Sequence, residues 1–323
     1  MNDDVKAGVI DFERPIIELE KKIHELKNFT VDERIDLDRE IAIMQDKLDK
    51  LKSDTYANLT SWQRVQVSRH PTRPYFLDYV RLITSDFIEL HGDRCFGDDK
   101  ALLGGLAKID GHKVLILGHQ KGRDIKENVL RNFGCAHPEG YRKALRLMKL
   151  AEKHNLPIIS LIDTPGAYPG IGAEERGQAE SIARNLLEMS SIKVPILVYV
   201  IGEGGSGGAL GIGVGDVVIV MENAYYSVIS PEGCAAILWK DRAKAADAAQ
   251  VLKLTAKELK ELDLIDEILD EPLGGAHRDH EKAAVFLKSS ILTNLKKLLL
   301  VSPDERVRIR YEKIRRIGSF EEK

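Results

Sequence analysis

Two glycine-rich segments hold the residues whose types and spacing can do chemistry: Asp163-Thr-Pro-Gly-Ala-Tyr-Pro-Gly170 and Gly202-Glu-Gly-Gly-Ser-Gly-Gly208. Each follows a short apolar run and precedes a helical pattern. In α/β folds ligands bind at such carboxyl ends of strands. A helix starting there offers free N–H groups and a partial positive charge, suited to an anion or a developing oxyanion. Glycine lets that backbone approach a ligand with no side chain in between. Two such segments on consecutive strand–helix units narrow the reading more than either does alone.

The second segment fits two familiar patterns. Gly202, Gly204 and Gly207 satisfy G-x-G-x-x-G, with Glu222 placed like a ribose-binding acid, but the helix between Gly207 and Asp216 is short for a dinucleotide unit. Gly204-Gly-Ser206-Gly-Gly208 satisfies the nucleophile elbow G-x-S-x-G. Asp263 or Asp266 and then His277 or His280 follow in Ser, acid, His order. Those partners fall in a charged helical region, and Ser206 also reads as a small residue that lets the turn form. No Lys-Ser/Thr follows the glycines, which excludes a P-loop. What remains is backbone chemistry, with N–H groups stabilising an oxyanion by ~3–4 kcal/mol per donor. It suits enolate chemistry on thioesters or ureido compounds and needs no side-chain nucleophile.

The elements that must position these segments alternate between strand and helix. Leu102 to Ile109 and Val114 to Gly118 read as strands around an Asp110-Gly111 turn, a hairpin signal. Tyr141 to His154 reads as a helix, Pro157 to Ile162 as a buried strand, Glu174 to Met189 as a helix and Val194 to Ile201 as a strand. Asp216 to Met221 and Asp266 to Leu269 are further strand candidates. Such alternation predicts an α/β fold whose sheet is buried on both faces. Before it, Ile16, Leu19, Ile23 and Leu26, then Leu37, Ile41, Met44, Leu48 and Leu51, carry seam spacing for two helices. Thr30-Val-Asp-Glu33 reads as a capping box opening the second helix, so the pair forms an antiparallel hairpin. It serves as a docking arm or as an internal brace. The expected division is residues 1–60 for the hairpin and 61–323 for the catalytic body with its helical C-terminal region.

Composition bounds the function. Of 323 residues, 43% are hydrophobic and 31% charged, enough for a large core and against disorder. The 48 basic and 51 acidic side chains nearly balance at −3, so nothing indicates a nucleic-acid coat. Apolar runs such as Val194 to Ile201 are far short of the ~20 residues of a membrane span. The acidic start is unlike a secretion signal, and Cys95, Cys135 and Cys234 are sparse and unpaired, which together predict a cytoplasmic protein. No cysteine zinc site can be assembled. His277 and His280 share an i, i+3 spacing but have no further ligand nearby, so no metal is expected.

Longer runs then become recognisable: Gln120 to Asn128, Arg131-Asn-Phe-Gly134, Pro138 to Arg146, Asp163 to Gly170, Gly202 to Gly213, and Arg69-His-Pro-Thr-Arg-Pro74. In this order they closely resemble the carboxyltransferase α subunits of bacterial acetyl-CoA carboxylase, over nearly the whole chain. The resemblance implies a crotonase-like (ClpP/crotonase) superhelix of ββα units. It implies an α2β2 assembly with a carboxyltransferase β subunit that carries a zinc ribbon, served by biotin carboxylase, which uses ATP, and by biotin carboxyl carrier protein. The implied reaction moves the carboxyl group of carboxybiotin to acetyl-CoA, giving malonyl-CoA for fatty-acid synthesis. By the same resemblance the amides of Gly207 and Gly208 form the biotin-side oxyanion hole. Gly204 and Gly205 shape its turn, and Gly166 with Ala167 line the opposite wall. Lys121, Arg123 and Lys126 follow a strand in a polar loop and contact CoA phosphates or the carboxylate, or else form a solvated charged loop or an inter-subunit ion pair. Tyr168 packs on the biotin ring or fills its own loop.

Overall fold

The computed structural model describes residues 8–33 and 37–318. The acidic start over residues 1–7 lies outside the described residues. Two helices open the chain, α1 (Arg14–Glu33) and α2 (Asp38–Ala57). Ile16, Ile23, Leu48 and Tyr56 bury together with Val67, and Leu19, Ile41, Met44 and Leu51 pack against them, as seam spacing requires. The expected helix start at Thr30 is corrected. Residues 30–33 form the last turn of α1, and α2 begins at Asp38. No glycine or proline interrupts residues 16–33, so the first helix runs through the cap signal; the side-chain bonds of that capping box lie outside the described residues.

Charge ties the hairpin to the body. Glu13 accepts a hydrogen bond from the Tyr56 hydroxyl at 2.5 Å and from Arg278 Nη2 at 3.0 Å, and faces His277 Nε2 at 3.1 Å. Arg278 also reaches Glu20 on α1 at 2.9 Å. Burial raises the Glu13 carboxyl, but its bonds to His277 and Tyr56 and the nearby positive charge outweigh this and hold it down to about 2.

After α3 (Ser61–Ser68) and α4 (Phe76–Ile83), an eight-stranded sheet builds the body. Strands β1 (Ser85–Glu89), β2 (Leu102–Ile109) and β3 (His112–His119) are antiparallel neighbours. Asp110 and Gly111 turn the β2–β3 hairpin with φ of 44° and 82°, the left-handed pair that a two-residue hairpin needs. Helices α5 (Ile125–Leu130) and α6 (Pro138–Lys153) lead to β4 (Ile158–Thr164), which lies parallel to β3. The expected helix over 174–189 is two helices, α7 (Ile171–Glu175) and α8 (Gln178–Ser191), because Gly177 takes φ 79° and breaks the run.

Strand β5 (Ile196–Gly205) runs parallel to β4, is buried throughout, and hands over directly to α9 (Ser206–Leu210). Parallel strands β6 (Val217–Met221) and β7 (Tyr225–Ser227) both pair with β5. Helices α10 (Pro231–Leu238), α11 (Ala245–Leu252) and α12 (Ala256–Glu261) precede β8 (Glu267–Leu269), which closes the sheet order β1-β2-β3-β4-β5-β6-β8. Two C-terminal helices follow, α13 (His280–Leu299) and α14 (Pro303–Arg315). Among the described residues no helix is long and apolar enough to cross a membrane.

A fully buried ion pair locks the chain entering α4 to the sheet. Arg73 bonds both oxygens of Glu271, at 2.9 and 2.5 Å, and its Nε donates to the Ile201 carbonyl at 2.7 Å. Glu271 also accepts the N–H groups of Asn223 and Ala276. Every partner is satisfied, so removing one strands a buried charge. Arg73→Met is therefore expected to lose ~3–5 kcal/mol in chemical denaturation. The lowered Glu13 carboxyl sets a second expectation. Its contribution is complete above about pH 4.5 and drains away as the pH falls toward 2. The melting temperature of Glu13→Gln should accordingly vary less across that window than that of the wild type.

Candidate active site

The two glycine segments meet at the carboxyl ends of β4 and β5. Thr164 pairs with Gly204 beyond a register shift after Ile162, and β7 flanks the same end through Gly204–Tyr226 and Gly205–Ser227. The expected strand end at Ile201 is corrected: β5 continues through Gly202–Gly205. Glycine here answers crowding rather than turn geometry. A Cβ on Gly202 would sit 2.5 Å from Asp163 Oδ1, and one on Gly205 would sit 2.2 Å from the Pro165 carbonyl oxygen. One on Gly208 would meet the Gly166 carbonyl carbon at 2.4 Å and the Ala167 nitrogen at 2.6 Å. The two backbones thus lie against each other with no side chain between them.

Ser206 makes the handover with φ 52° and is exposed. A non-glycine residue held in this region is strained and marks a turn the surrounding structure enforces. Among the described residues no backbone hydrogen bond occupies the N–H of Gly207, Gly208 or Ala167. The Gly166 N–H differs, since it donates to Thr164 Oγ1 at 3.1 Å. Gly207 is half-buried, and a Cβ there would meet only Ile182 Cδ1, at an ordinary 3.5 Å. The N–H groups of Gly207, Gly208 and Ala167 thus belong to two segments whose backbones lie close together at Gly208.

No hydrogen bond joins Ser206 to a histidine or carboxylate among the described residues. Asp266 accepts the Val218 N–H and the Lys313 ammonium, and His277 faces Glu13. The elbow has its turn but neither acid nor base.

Lys121 is not the free cation expected for a ligand phosphate. Its Nζ lies 2.6 Å from Asp163 Oδ1 and 2.7 Å from Glu203 Oε2. The other Glu203 oxygen accepts Arg69 Nε at 2.6 Å and the Tyr225 hydroxyl at 2.8 Å, and Arg69 continues to Glu232 at 2.5 Å. Burial lowers the Lys121 ammonium, but the charges of Asp163 and Glu203 outweigh it and hold it above the ordinary lysine value. Burial likewise raises Glu203, and the charges of Lys121 and Arg69 bring it down to about 2. The lysine stays charged and both carboxylates are spent on it.

Arg123 is also committed within the chain. It donates to the Pro71 and Arg73 carbonyls at 2.7 and 2.9 Å and to the Asp78 carboxylate, and it lies 3.9 Å above the Tyr75 ring. Lys126 remains exposed. Tyr168 stacks on His137, with centroids 4.2 Å apart and planes at 26°, which fills its own loop.

Sequence reasoning missed the charged layer of Asp163, Glu203, Arg69, Tyr225 and Glu232. The available signal was an acid ending or following each apolar strand run, a position where an unpaired carboxylate would be costly.

The histidine pair is rearranged. His277 precedes α13, so it shares no helix face with His280, whose Nε2 lies 2.5 Å from the Thr72 carbonyl. His277, His70 and Glu13 instead bring ligand-type atoms within 4.8 Å of one another. Arg278 already binds this carboxylate, and the Thr72 N–H donates to His70 Nδ1 at 3.2 Å. The same Glu13 oxygen thus joins the Tyr56 hydroxyl, His277 and Arg278 in one hydrogen-bonded cluster.

Comparison with known proteins agrees with this geometry. Residues 9–318 match the family described as acetyl co-enzyme A carboxylase carboxyltransferase-like. The chain is 58% identical to the acetyl-coenzyme A carboxylase carboxyl transferase subunit alpha of Geobacter metallireducens, over 97% of this chain and 98% of that protein. It is 58% identical to the same subunit of Pasteurella multocida, over 96% and 98%. Among solved structures, a chain of a Pseudomonas malonate decarboxylase hetero-tetramer in complex with coenzyme A superposes with a TM-score of 0.59 at 15% identity, covering 75% of this chain and 97% of that one. The β subunit of P. aeruginosa geranyl-CoA carboxylase gives 0.55 at 19% identity, over 76% and 46%. These distant structures establish the crotonase-like fold alone. Near-complete coverage at such identity places the chain in the family of acetyl-CoA carboxylase carboxyltransferase α subunits.

Proposed function

We propose that this chain, as the α subunit of an α2β2 carboxyltransferase, transfers the carboxyl group of carboxybiotin to acetyl-CoA, forming malonyl-CoA for fatty-acid synthesis. The observation that carries the reading is the pair of amides without a backbone partner, Gly207 and Gly208, of which Gly208 lies directly against the Gly166–Ala167 backbone. Carboxybiotin, delivered on biotin carboxyl carrier protein, brings a carboxyl group whose departure leaves negative charge on the ureido oxygen. The junction suits that oxygen, being formed by backbone N–H groups with no carboxylate side chain inside it. Gly207 and Gly208 donate to the oxygen, and Ala167 lines the facing wall. Gly204 and Gly205 hold the backbone approach that sets the angle of α9. Such preorganised donors act where charge develops and need no protein nucleophile, in keeping with a Ser206 that lacks a base.

The chain supplies half of a site. Apolar side chains flank both loops unprotected: Ile171 after the first is 80% exposed, Val228 beyond β7 is 77% exposed, and Ile125 on α5 is 83% exposed. Exposed apolar side chains beside the loops suit contact with a partner subunit. The β subunit supplies the acetyl-CoA side in this reading. Cys95, Cys135 and Cys234 are separate free thiols, so a cysteine zinc site of the assembly is assigned to β. Biotin carboxylase completes the system with ATP-driven loading, and the whole is placed in the cytoplasm. Within this chain, we assign residues 1–60 to the hairpin and 61–323 to the catalytic body.

The reverse reaction tests the reading, with malonyl-CoA and biocytin as substrates for this chain alone, for β alone and for the mixture. Activity is expected only in the mixture; none in a verified complex would contradict it. Gly207→Val has room beside Ile182 and is expected to fold and assemble while losing ~10²-fold or more in kcat. Ser206→Ala should stay within severalfold of wild type. Gly208 is a poor probe despite its expected role, because any Cβ there collides with the Gly166–Ala167 backbone.

A further inference from the structure

Both glycine-rich segments are rooted in one buried cluster of charges. Three consecutive parallel strand ends deliver charged side chains to one buried point. Lys121 comes just beyond β3, Asp163 from the end of β4, and Glu203 from the glycine-rich end of β5. The Lys121 ammonium bonds one oxygen of each acid, at 2.6 and 2.7 Å, and the Glu203 N–H donates to Asp163 Oδ1 at 2.9 Å. Asp163 is the residue before Thr164, where the first loop departs, and Glu203 precedes Gly204, where the second begins. A movement of either carboxylate moves the root of one loop against the other.

We infer that Lys121 is a positioning residue for carboxyl transfer: it clamps the roots of the two amide-bearing loops and cancels the charge of Asp163 and Glu203 directly beneath them. This rests on the backbone-amide site proposed above. The electrostatic half follows from counting charges. Lys121 with Asp163 and Glu203 sums to −1, and Arg69, bonded to Glu203, returns the group to neutrality before Glu232 is reached. Without the lysine, the two buried carboxylates that met on its ammonium face each other, with Arg69 bonded to Glu203 and Glu232 while Asp163 loses the cation bonded to it. A net negative charge below N–H groups that must receive a developing anion opposes the very charge they stabilise. Like charges so close also resist joint ionisation, so one carboxyl takes up a proton more readily.

Other titratable groups face this point. Tyr75, ahead of α4, and Cys135 both feel Lys121 and Glu203, and His119 at the end of β3 feels Lys121. Burial raises the Cys135 thiol to about 11 and lowers His119 to about 3. Burial likewise raises the hydroxyls of Tyr75 and Tyr225. Arg73 adds positive charge near Asp163, but it is already bonded to Glu271. None of these groups changes charge near neutral pH, so a new ionisation appearing there on removal of Lys121 belongs to the two acids.

The experiment measures kcat and KM for malonyl-CoA across pH 6–9 in the assembled complex, in the biocytin-dependent reverse reaction. Wild type, Lys121→Met and the charge-balanced Lys121→Met/Asp163→Asn are compared. The side-chain amide in the double variant keeps an oxygen for the Glu203 N–H while removing the unpaired charge. Lys121→Met is expected to lower kcat by roughly 10- to 100-fold, with KM within about twofold. Its kcat should recover toward pH 6, a limb absent from wild type, as the raised carboxyl is protonated. The double variant should regain most of the lost kcat and lose that limb. Wild-type kcat in Lys121→Met overturns the inference. So does a loss that neither acid nor Asp163→Asn repairs, or failure of both variants to assemble, because each reduces Lys121 to packing or folding. An inactive wild-type complex would instead fail the underlying carboxyltransferase reading, so the two failures are separable.

Discussion

The structure depends on one close approach: the backbone of residues 164–167 lies against that of residues 205–208 with no room for a side chain between them. At Gly205 and Gly208 any Cβ would stand 2.2–2.4 Å from opposing backbone atoms, a distance no relaxation of side chains can relieve. Parallel pairing of β4 with β5 brings the two segments together, and the register shift after Ile162 sets how they meet. Just past the sharp entry to α9 at Ser206, the amides of Gly207 and Gly208 have no backbone acceptor among the described residues. In the proposed reaction, amides held this rigidly would receive a developing anion with little reorganisation.

Holding two backbones at such range requires anchors beneath them, and the anchors here are charges. Lys121 gathers the ends of β4 and β5, while Arg69 and Tyr225 fix the far oxygen of Glu203. Arg73 and Glu271 fasten the chain before α4 to the same sheet, and Arg310 on α14 does so for Asp216 at the start of β6, with 0% and 3% side-chain exposure. Buried ion pairs add little stability over apolar packing, and their best-supported use is to specify one arrangement. The proposed backbone-amide site would need that specificity, because its donors act only when placed against the developing charge.

Much of this was legible in the residues. The Asp110-Gly111 turn, the alternating apolar runs and the seam of Ile16, Ile23 and Leu48 carry local signals strong enough to place their elements. Boundaries failed where tertiary forces overrode local preference. Gly202, Gly204 and Gly205 read as loop because glycine is a weak strand former, yet they extend β5, where a Cβ would crowd Asp163, Tyr226 and Pro165. Gly177 broke a predicted helix through a left-handed φ that periodicity does not register. At the site, the glycine spacing singled out the two segments that the fold brings together, whereas Lys121 and Arg123 stayed open between ligand contacts, a solvated loop and inter-subunit pairs. A cation's partner lies elsewhere in the chain, and Asp163 stands 42 residues away. Only the fold brings such a pair together.

The central claim is that the amides of Gly207 and Gly208 receive the charge that develops on the biotin ureido oxygen. A structure of the assembled α–β complex with biocytin tests it most directly. The account predicts the ureido oxygen within about 3 Å of both nitrogens, at the junction of the 164–167 and 205–208 backbones. A ureido group seated against other donors, with those two amides still unoccupied, would contradict it.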